Sequence, residues 1–253
     1  MFDLPPIGLG TWQTFTVPRP DVLRAFVELG GRLVDTSPMY GPAEDNLGIA
    51  SEGVRERLFF ATKVWTRGRD AGIGQMEDSE RKLGGRVDLM QVHNLLDAAT
   101  HLRTLRAWKD AGRIHFLGVT HYTASAHGDV AKYVRAGGID AVQINYSVAE
   151  REAEKLVLPL AQERGIAVLI NRPFGEGALL RRLRGKRLPS IATDLGCASW
   201  AALLLKFVIA HPAVTCAIPA TSSLEHLRQN MNAMRGPMPD AQARERIAAA
   251  ALE

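Results

Sequence analysis

Phe59-Phe60-Ala61-Thr62-Lys63-Val64 is an almost unbroken apolar run with a lysine near its end. A run this short and this apolar suits a parallel strand covered on both faces. The stretches on either side repeat the arrangement. Val34-Asp35-Thr36-Ser37-Pro38-Met39-Tyr40-Gly41 puts Asp35 at the end of one strand and Tyr40 just beyond it. Leu89-Met90-Gln91-Val92-His93-Asn94 closes the next strand on His93. Extended outward, the same reading gives strands near 7–10, 31–35, 58–63, 87–92, 114–119, 140–145, 166–171 and 214–218. Helical stretches alternate with them, near 20–29, 43–51, 76–84, 100–111, 124–136, 149–164, 197–210 and 223–233, with a last one inside 237–253 packed outside the barrel.

Gly30-Gly31, Gly84-Gly85, Gly112, Gly137-Gly138 and Gly165 each stand just before a strand, as glycines do after helix ends. That punctuation predicts an α/β fold: eight βα units closed into a (β/α)8 TIM barrel, one domain over residues 1–253. A doubly wound open sheet competes, but no GxGxxG follows the first strand. A barrel gathers its strand ends at one mouth, where active sites of that fold lie. Asp35, Tyr40, Lys63 and His93 would therefore meet in one pocket, and an enzyme is the leading reading.

The chemistry of that set is specific. A free tyrosine titrates at about pH 10 and is a reluctant acid near neutrality. A nearby ammonium lowers that value, and a carboxylate can hold the ammonium in place. Lys63 and Asp35 supply both groups if Lys63 lies between Asp35 and Tyr40. His93 can hydrogen-bond the same carbonyl oxygen. The result is a polarised carbonyl ready for hydride.

Composition excludes several other classes. The chain is 46% hydrophobic, which leaves ample core, and its net charge of +4 is mild. The basic run Arg181-Arg182-Leu183-Arg184-Gly185-Lys186-Arg187 reads as a solvated face or an attractor for an anionic cofactor or substrate, with no nucleic-acid partner expected. Cys197 and Cys216 read as buried free thiols in a reducing compartment. The segment Met1–Pro6 lacks the pattern of a signal peptide. The apolar stretch Ala201–Ala210 is broken by Lys206 and too short to span a bilayer, so the expected location is the cytoplasm. No His/Cys/Asp/Glu grouping at ligand spacing points to a metal. Trp12 and Trp65 are expected to line the pocket, Trp108 and Trp200 to pack on helices. His101 reads as a helix-start residue, and His115, His127 and His211 as structural. The irregular stretch 172–194 is expected to border the cofactor or substrate.

Asp35-Thr36-Ser37-Pro38-Met39-Tyr40-Gly41, Ala61-Thr62-Lys63-Val64 and Asp88-Leu89-Met90-Gln91-Val92-His93 resemble the aldo-keto reductase family. The likeness runs from Ile7-Gly8-Leu9-Gly10-Thr11-Trp12 through Gly118-Val119-Thr120 and Val142-Gln143-Ile144-Asn145-Tyr146-Ser147. It ends with Ile218-Pro219-Ala220-Thr221-Ser222-Ser223 and Arg228-Gln229-Asn230. The resemblance implies a barrel that holds a nicotinamide cofactor, usually NADPH, in extended form. It matches Asp35, Tyr40, Lys63 and His93 to the family's catalytic tetrad, with Tyr40 as general acid. It places Thr11 and Trp12 beside the cofactor, and Thr120, His121 and Gln143 at the nicotinamide carboxamide. Arg172, followed by Pro173 and Phe174, falls where an aromatic residue often stacks on the ring. Pro219, Ala220, Thr221 and Ser222, with Gln229 and Asn230, would lie along the adenosine and its phosphate.

Four positions depart from the family's pattern. His121 stands for asparagine, Arg172 for the aromatic, and Ala220 and His226 for the Lys and Arg of NADPH-specific members. NADPH is expected, with NADH as the second candidate. Compact connections predict low pocket walls. The expected activity is reduction of aldehydes or ketones to alcohols by a monomer. A nucleotide-binding regulatory or sensor protein with little turnover is the alternative. A lyase using Lys63 as a Schiff-base nucleophile is a third reading.

Overall fold

The inward face of the barrel can be followed along its strands. Leu33, Phe59, Ala61, Leu89, Ala141, Ala167, Leu169, Cys216 and Ile218 pack together as an interior cluster separate from the larger core. Side chains alternate faces along a strand. Lys63 therefore shares the inward face of Phe59 and Ala61, while Thr62 points out toward the helices. Asp35 follows Leu33, Gln91 follows Leu89 and Gln143 follows Ala141 by the same rule. The apolar cluster fills the lower barrel, and the polar set lies one step above it.

The computed structural model describes residues 3–253; Met1 and Phe2, where the amino-terminal segment read above begins, lie outside the described residues. The elements run β1 (Leu9–Gly10), α1 (Pro20–Glu28), β2 (Leu33–Asp35), α2 (Ala43–Ala50), β3 (Phe59–Val64), α3 (Arg69–Lys82), β4 (Leu89–Val92) and α4 (Ala98–Asp110). They continue with β5 (Phe116–Thr120), α5 (His127–Ala136), β6 (Ala141–Asn145), α6 (Val157–Arg164), β7 (Ala167–Asn171), α7 (Ala178–Arg182) and α8 (Ser190–Asp194). The chain ends with α9 (Trp200–Ile209), β8 (Cys216–Ala217), α10 (Leu224–Asn232) and α11 (Ala241–Leu252). The eight strands pair in sequence order, all parallel. Parallel bridges from Ile7 to Ala217 and from Gly10 to Ala220 join β1 to β8 and close the barrel. The predicted (β/α)8 architecture is the observed one. Among the described residues no helix is long and apolar enough to cross a membrane.

Glycine ends helices where the sequence placed it: Gly137 after α5 has φ 72° and Gly165 after α6 has φ 63°, a region costly for other residues. Elsewhere the boundaries differ from expectation for local reasons. α3 begins at Arg69, well before 76. Gly72 and Gly74 weaken the helical signal there. Gly72 is required by packing, since a Cβ would come within 2.4 Å of the His101 ring. His101 is not a helix-start residue: it lies inside α4, buried, with Nε2 2.8 Å from the Thr66 carbonyl oxygen. The helix expected over 149–164 is split at Leu156, whose ψ of −62° at φ −143° separates a 3-10 turn from α6.

The carboxy-terminal part is fastened by polar contacts. Arg151 bridges to Glu245 on α11 at 2.7 Å, and Arg244 to Glu154 at 2.8 Å. Lys206 in α9 is fully buried and donates to the carbonyls of Arg235 and Pro237 at 2.5 and 2.6 Å. Replacing Lys206 with Met leaves both carbonyls unsatisfied, at a cost of about 1–3 kcal/mol. The expected result is a melting temperature lower by several degrees in calorimetry, with turnover nearly unchanged. An unaltered melting temperature would show that water serves those carbonyls equally well.

Candidate active site

Lys63 is completely buried, and its ammonium makes two short hydrogen bonds. Nζ donates to Asp35 Oδ2 at 2.7 Å and to the Thr36 carbonyl at 2.7 Å. The other oxygen of Asp35 accepts from Gln143 Nε2 at 2.7 Å and from Gln91 Nε2 at 3.4 Å. Strands β2, β3, β4 and β6 thus each contribute one side chain to a buried ionic knot. Tyr40, carried by the turn between β2 and α2, lays its ring 5.2 Å from Lys63 Nζ. His93, just past β4, sets its ring edge-on to that of Tyr40 at 5.9 Å and holds Ser37 Oγ 3.0 Å from Nδ1. The four residues singled out from the sequence do meet.

Their protonation follows from burial. Burial raises the Tyr40 phenol, Lys63 pulls it down and Asp35 pushes it up, so it stands above its ordinary value. Lys63 exerts the expected downward pull, but desolvation outweighs it. Tyr40 therefore keeps its proton near neutral pH. Burial lowers Lys63, but Asp35 and Tyr40 more than offset this and it titrates above its ordinary value. His93 is driven to about 2 by burial, then by the Lys63 charge and by His121, so its ring is neutral.

Above this floor opens a cleft of about 1170 Å³. Asp35, Tyr40, His93, Thr120 and Gln143 form its base, whereas Lys63 lies beneath them and does not reach it. Thr11 and Trp12 line one side. Arg172, Pro173 and Phe174 line another, and Pro219, Ala220, Thr221, Gln229 and Asn230 extend the cleft toward α10. Two more expected residues are not on its walls. Ser222 does not line it. His121 turns into its own loop, where Nδ1 accepts from the amides of Tyr122 and Thr123 at 3.1 and 3.3 Å.

Arg172 is pinned rather than free to lie flat on a ring. It donates to the Tyr122 carbonyl at 3.0 Å, places its guanidinium 5.7 Å from the Tyr122 ring and pairs with Glu176 at 3.4 Å. Its φ is 51°, and Gln13, Asn94 and Glu176, also on the cleft walls, share positive φ values. Strained backbone of this kind gathers at functional sites.

Several wall residues were not read from the sequence. Asn171, at the end of β7, buries an Oδ1 with no partner among the described residues and lines the cleft. A polar residue closing the apolar run Val168-Leu169-Ile170 was the available signal, the same one that marked Lys63 and His93. Tyr122, Met39 and Asn94 join Trp12 and Trp65 around the mouth. Trp12, Met39, Trp65 and Tyr122 are 38–46% exposed, a rim of large apolar groups. Trp200 is not simply a packing residue: it lines the cleft and donates Nε1–H to the Lys186 carbonyl at 3.0 Å. That bond helps fix the basic run, whose Arg181, Arg184 and Lys186 form a cationic wall. Trp108 does pack on its helix, under the Arg113 guanidinium. His115, His127 and His211 contact Asp88, Asn145 and Tyr146, away from the cleft.

Comparison with known proteins agrees with this geometry. The aldo/keto reductase family model matches residues 6–250. Methylglyoxal reductase YeaE of Escherichia coli K12 is 30% identical over 243 residues, covering 90% of this chain and 84% of that protein. An aldo-keto reductase of Klebsiella pneumoniae in complex with NADPH superposes with a TM-score of 0.81 at 26% identity, over 98% of this chain and 91% of that one. A Klebsiella pneumoniae aldo/keto reductase with NADP and acetate gives 0.82 at 26% identity, with the same coverage of 98% and 91%.

Proposed function

The chain belongs to the aldo/keto reductase family, and from that premise we propose that it is an NADPH-dependent reductase converting small aldehydes or ketones to alcohols. The observation that carries the reading is the buried Asp35–Lys63 pair at 2.7 Å beneath Tyr40 and His93 at the base of a large cleft.

The cleft's residues fit a nicotinamide nucleotide. Asn171 Oδ1 is buried without a partner among the described residues, which suits a carboxamide donor held between it, Gln143 and Thr120. Arg172, Pro173 and Phe174 would flank the ring. Arg181, Arg184 and Lys186 would face the phosphates. Pro219, Ala220, Thr221, Ser222, Gln229 and Asn230 would accompany the adenosine. When bound, the nicotinamide supplies the hydride.

The chain's own groups do the rest. Tyr40 would give its proton to the carbonyl oxygen, and Lys63, held by Asp35, would stabilise the phenolate left behind. His93 would hold the same oxygen, and the apolar rim would exclude water around it. The raised phenol sets the pH dependence: an acid that titrates above about 10 stays protonated through neutrality. The rate of reduction is therefore expected to be level between pH 6 and 8 and to fall only in alkali. A titration step within that window would count against Tyr40 as the acid.

The direct test is NADPH and NADH consumption with a panel of aldehydes and ketones. Methylglyoxal, from the name of the Escherichia coli relative, is the first to offer. Turnover with NADPH establishes the reductase. Tight nucleotide binding with no carbonyl reduced would instead make this a nucleotide-binding regulatory protein.

A further inference from the structure

Ser37 is two residues past Asp35 and completely buried, with its Oγ 3.0 Å from His93 Nδ1. The hydroxyl oxygen already accepts from the Met39 amide at 3.4 Å. Its hydrogen has one destination: among the described residues, His93 Nδ1 is the only acceptor within reach. The reverse arrangement, with Nδ1–H donating to Ser37, would strand the serine hydrogen in the interior, and buried polar hydrogens without acceptors are strongly disfavoured. Because the ring carries a single proton, the bond made by one nitrogen decides the state of the other.

We infer that Ser37 is a positioning residue: its hydroxyl donates to His93 Nδ1 and so places the ring proton on Nε2, the nitrogen that faces the cleft. Among the described residues Nε2 has no hydrogen-bond partner, and it is not sealed from solvent. With its proton it is a donor aimed where the substrate oxygen must sit beside Tyr40. Without it, its lone pair would oppose the lone pairs of that oxygen. Ser37 also fixes the ring's rotation against Tyr40 and Trp65, whose rings lie 5.9 and 6.5 Å away. The consequence for rate rests on the reductase reading, but the proton placement does not.

The test is a long-range ¹H–¹⁵N correlation spectrum of the full chain labelled at histidine nitrogens, at neutral pH. The His93 signals are identified by their loss in His93→Gln. In wild type, Nε2 is expected at a protonated shift and Nδ1 at an unprotonated one. Ser37→Ala should give a mixture of tautomers, and Ser37→Thr, which keeps the hydroxyl, should restore the wild-type pattern. In parallel, Ser37→Ala should lower kcat for carbonyl reduction about tenfold with NADPH affinity unchanged, and Ser37→Thr should recover most of it. A wild-type His93 protonated on Nδ1, or a tautomer indifferent to Ser37→Ala, overturns the inference. Wild type with the expected tautomer but no carbonyl turnover would uphold the proton placement and sink the reductase reading instead.

Discussion

Tyr40→Phe lowers the rate of carbonyl reduction by about a thousandfold while nucleotide affinity stays close to wild type. General acid catalysis by a positioned side chain contributes roughly 10²–10⁴ in rate, and the substitution removes one hydroxyl and nothing else. The phenylalanine ring keeps the edge contact with His93 at 5.9 Å and the position over Lys63 at 5.2 Å. The Asp35–Lys63 pair, with its partners Gln143, Gln91 and the Thr36 carbonyl, does not depend on the phenol. The floor of the cleft should therefore survive intact. Single-turnover stopped-flow reads the hydride step, and quenching of NADPH fluorescence reads binding. Full turnover in Tyr40→Phe would remove Tyr40 from the role of acid. Loss of binding along with turnover would mean that the ring shapes the nucleotide site, a different role.

The barrel was legible because its strands are short continuous apolar runs with polar ends, each preceded by a glycine or helix end. Lys63 and His93 stood out because each interrupts an apolar run at the point where the strand meets the mouth. Asn171 obeyed the same rule and was passed over, since asparagine at a strand end reads equally well as a turn residue. The start of α3 was hidden by Gly72 and Gly74, which disfavour helix locally, although contact with His101 requires the first of them. Trp200 and Tyr122 could not be placed on the cleft from their own segments. Trp200 meets Lys186 across an irregular loop, and Tyr122 meets Arg172 from another strand. The direction of the Tyr40 shift was also beyond sequence, because it depends on how deeply the phenol is buried against how near Lys63 comes. Identities of reactive groups are local properties; depth and wall partners are properties of the closed barrel.

Lys63→Met carries the second large effect, and it should separate stability from chemistry. Methionine fills most of the lysine's volume but leaves Asp35, only 2% exposed, with the two glutamine donors and no counter-charge. Breaking a buried pair by removing one partner costs about 3–5 kcal/mol, because the remaining charge is uncompensated. Urea denaturation should show that loss. Turnover should fall by about two to three orders of magnitude, since the phenolate formed at Tyr40 loses its ammonium. The residual activity should have its optimum at higher pH, because the one strong downward pull on the phenol is gone. The pair also sets a pH signature of stability. Lys63 titrates higher in the folded protein than in the unfolded chain, so its contribution is complete below the unfolded value of about 10.4 and is lost as pH rises through the folded one. Wild type should lose stability in that alkaline window, and Lys63→Met should lack that share of the loss. Adding Asp35→Asn to Lys63→Met removes the stranded charge, so the double variant should regain much of the stability while remaining inactive. If it stays as unstable as the single variant, packing around the lysine stem, rather than the unpaired carboxylate, is what the substitution disturbs.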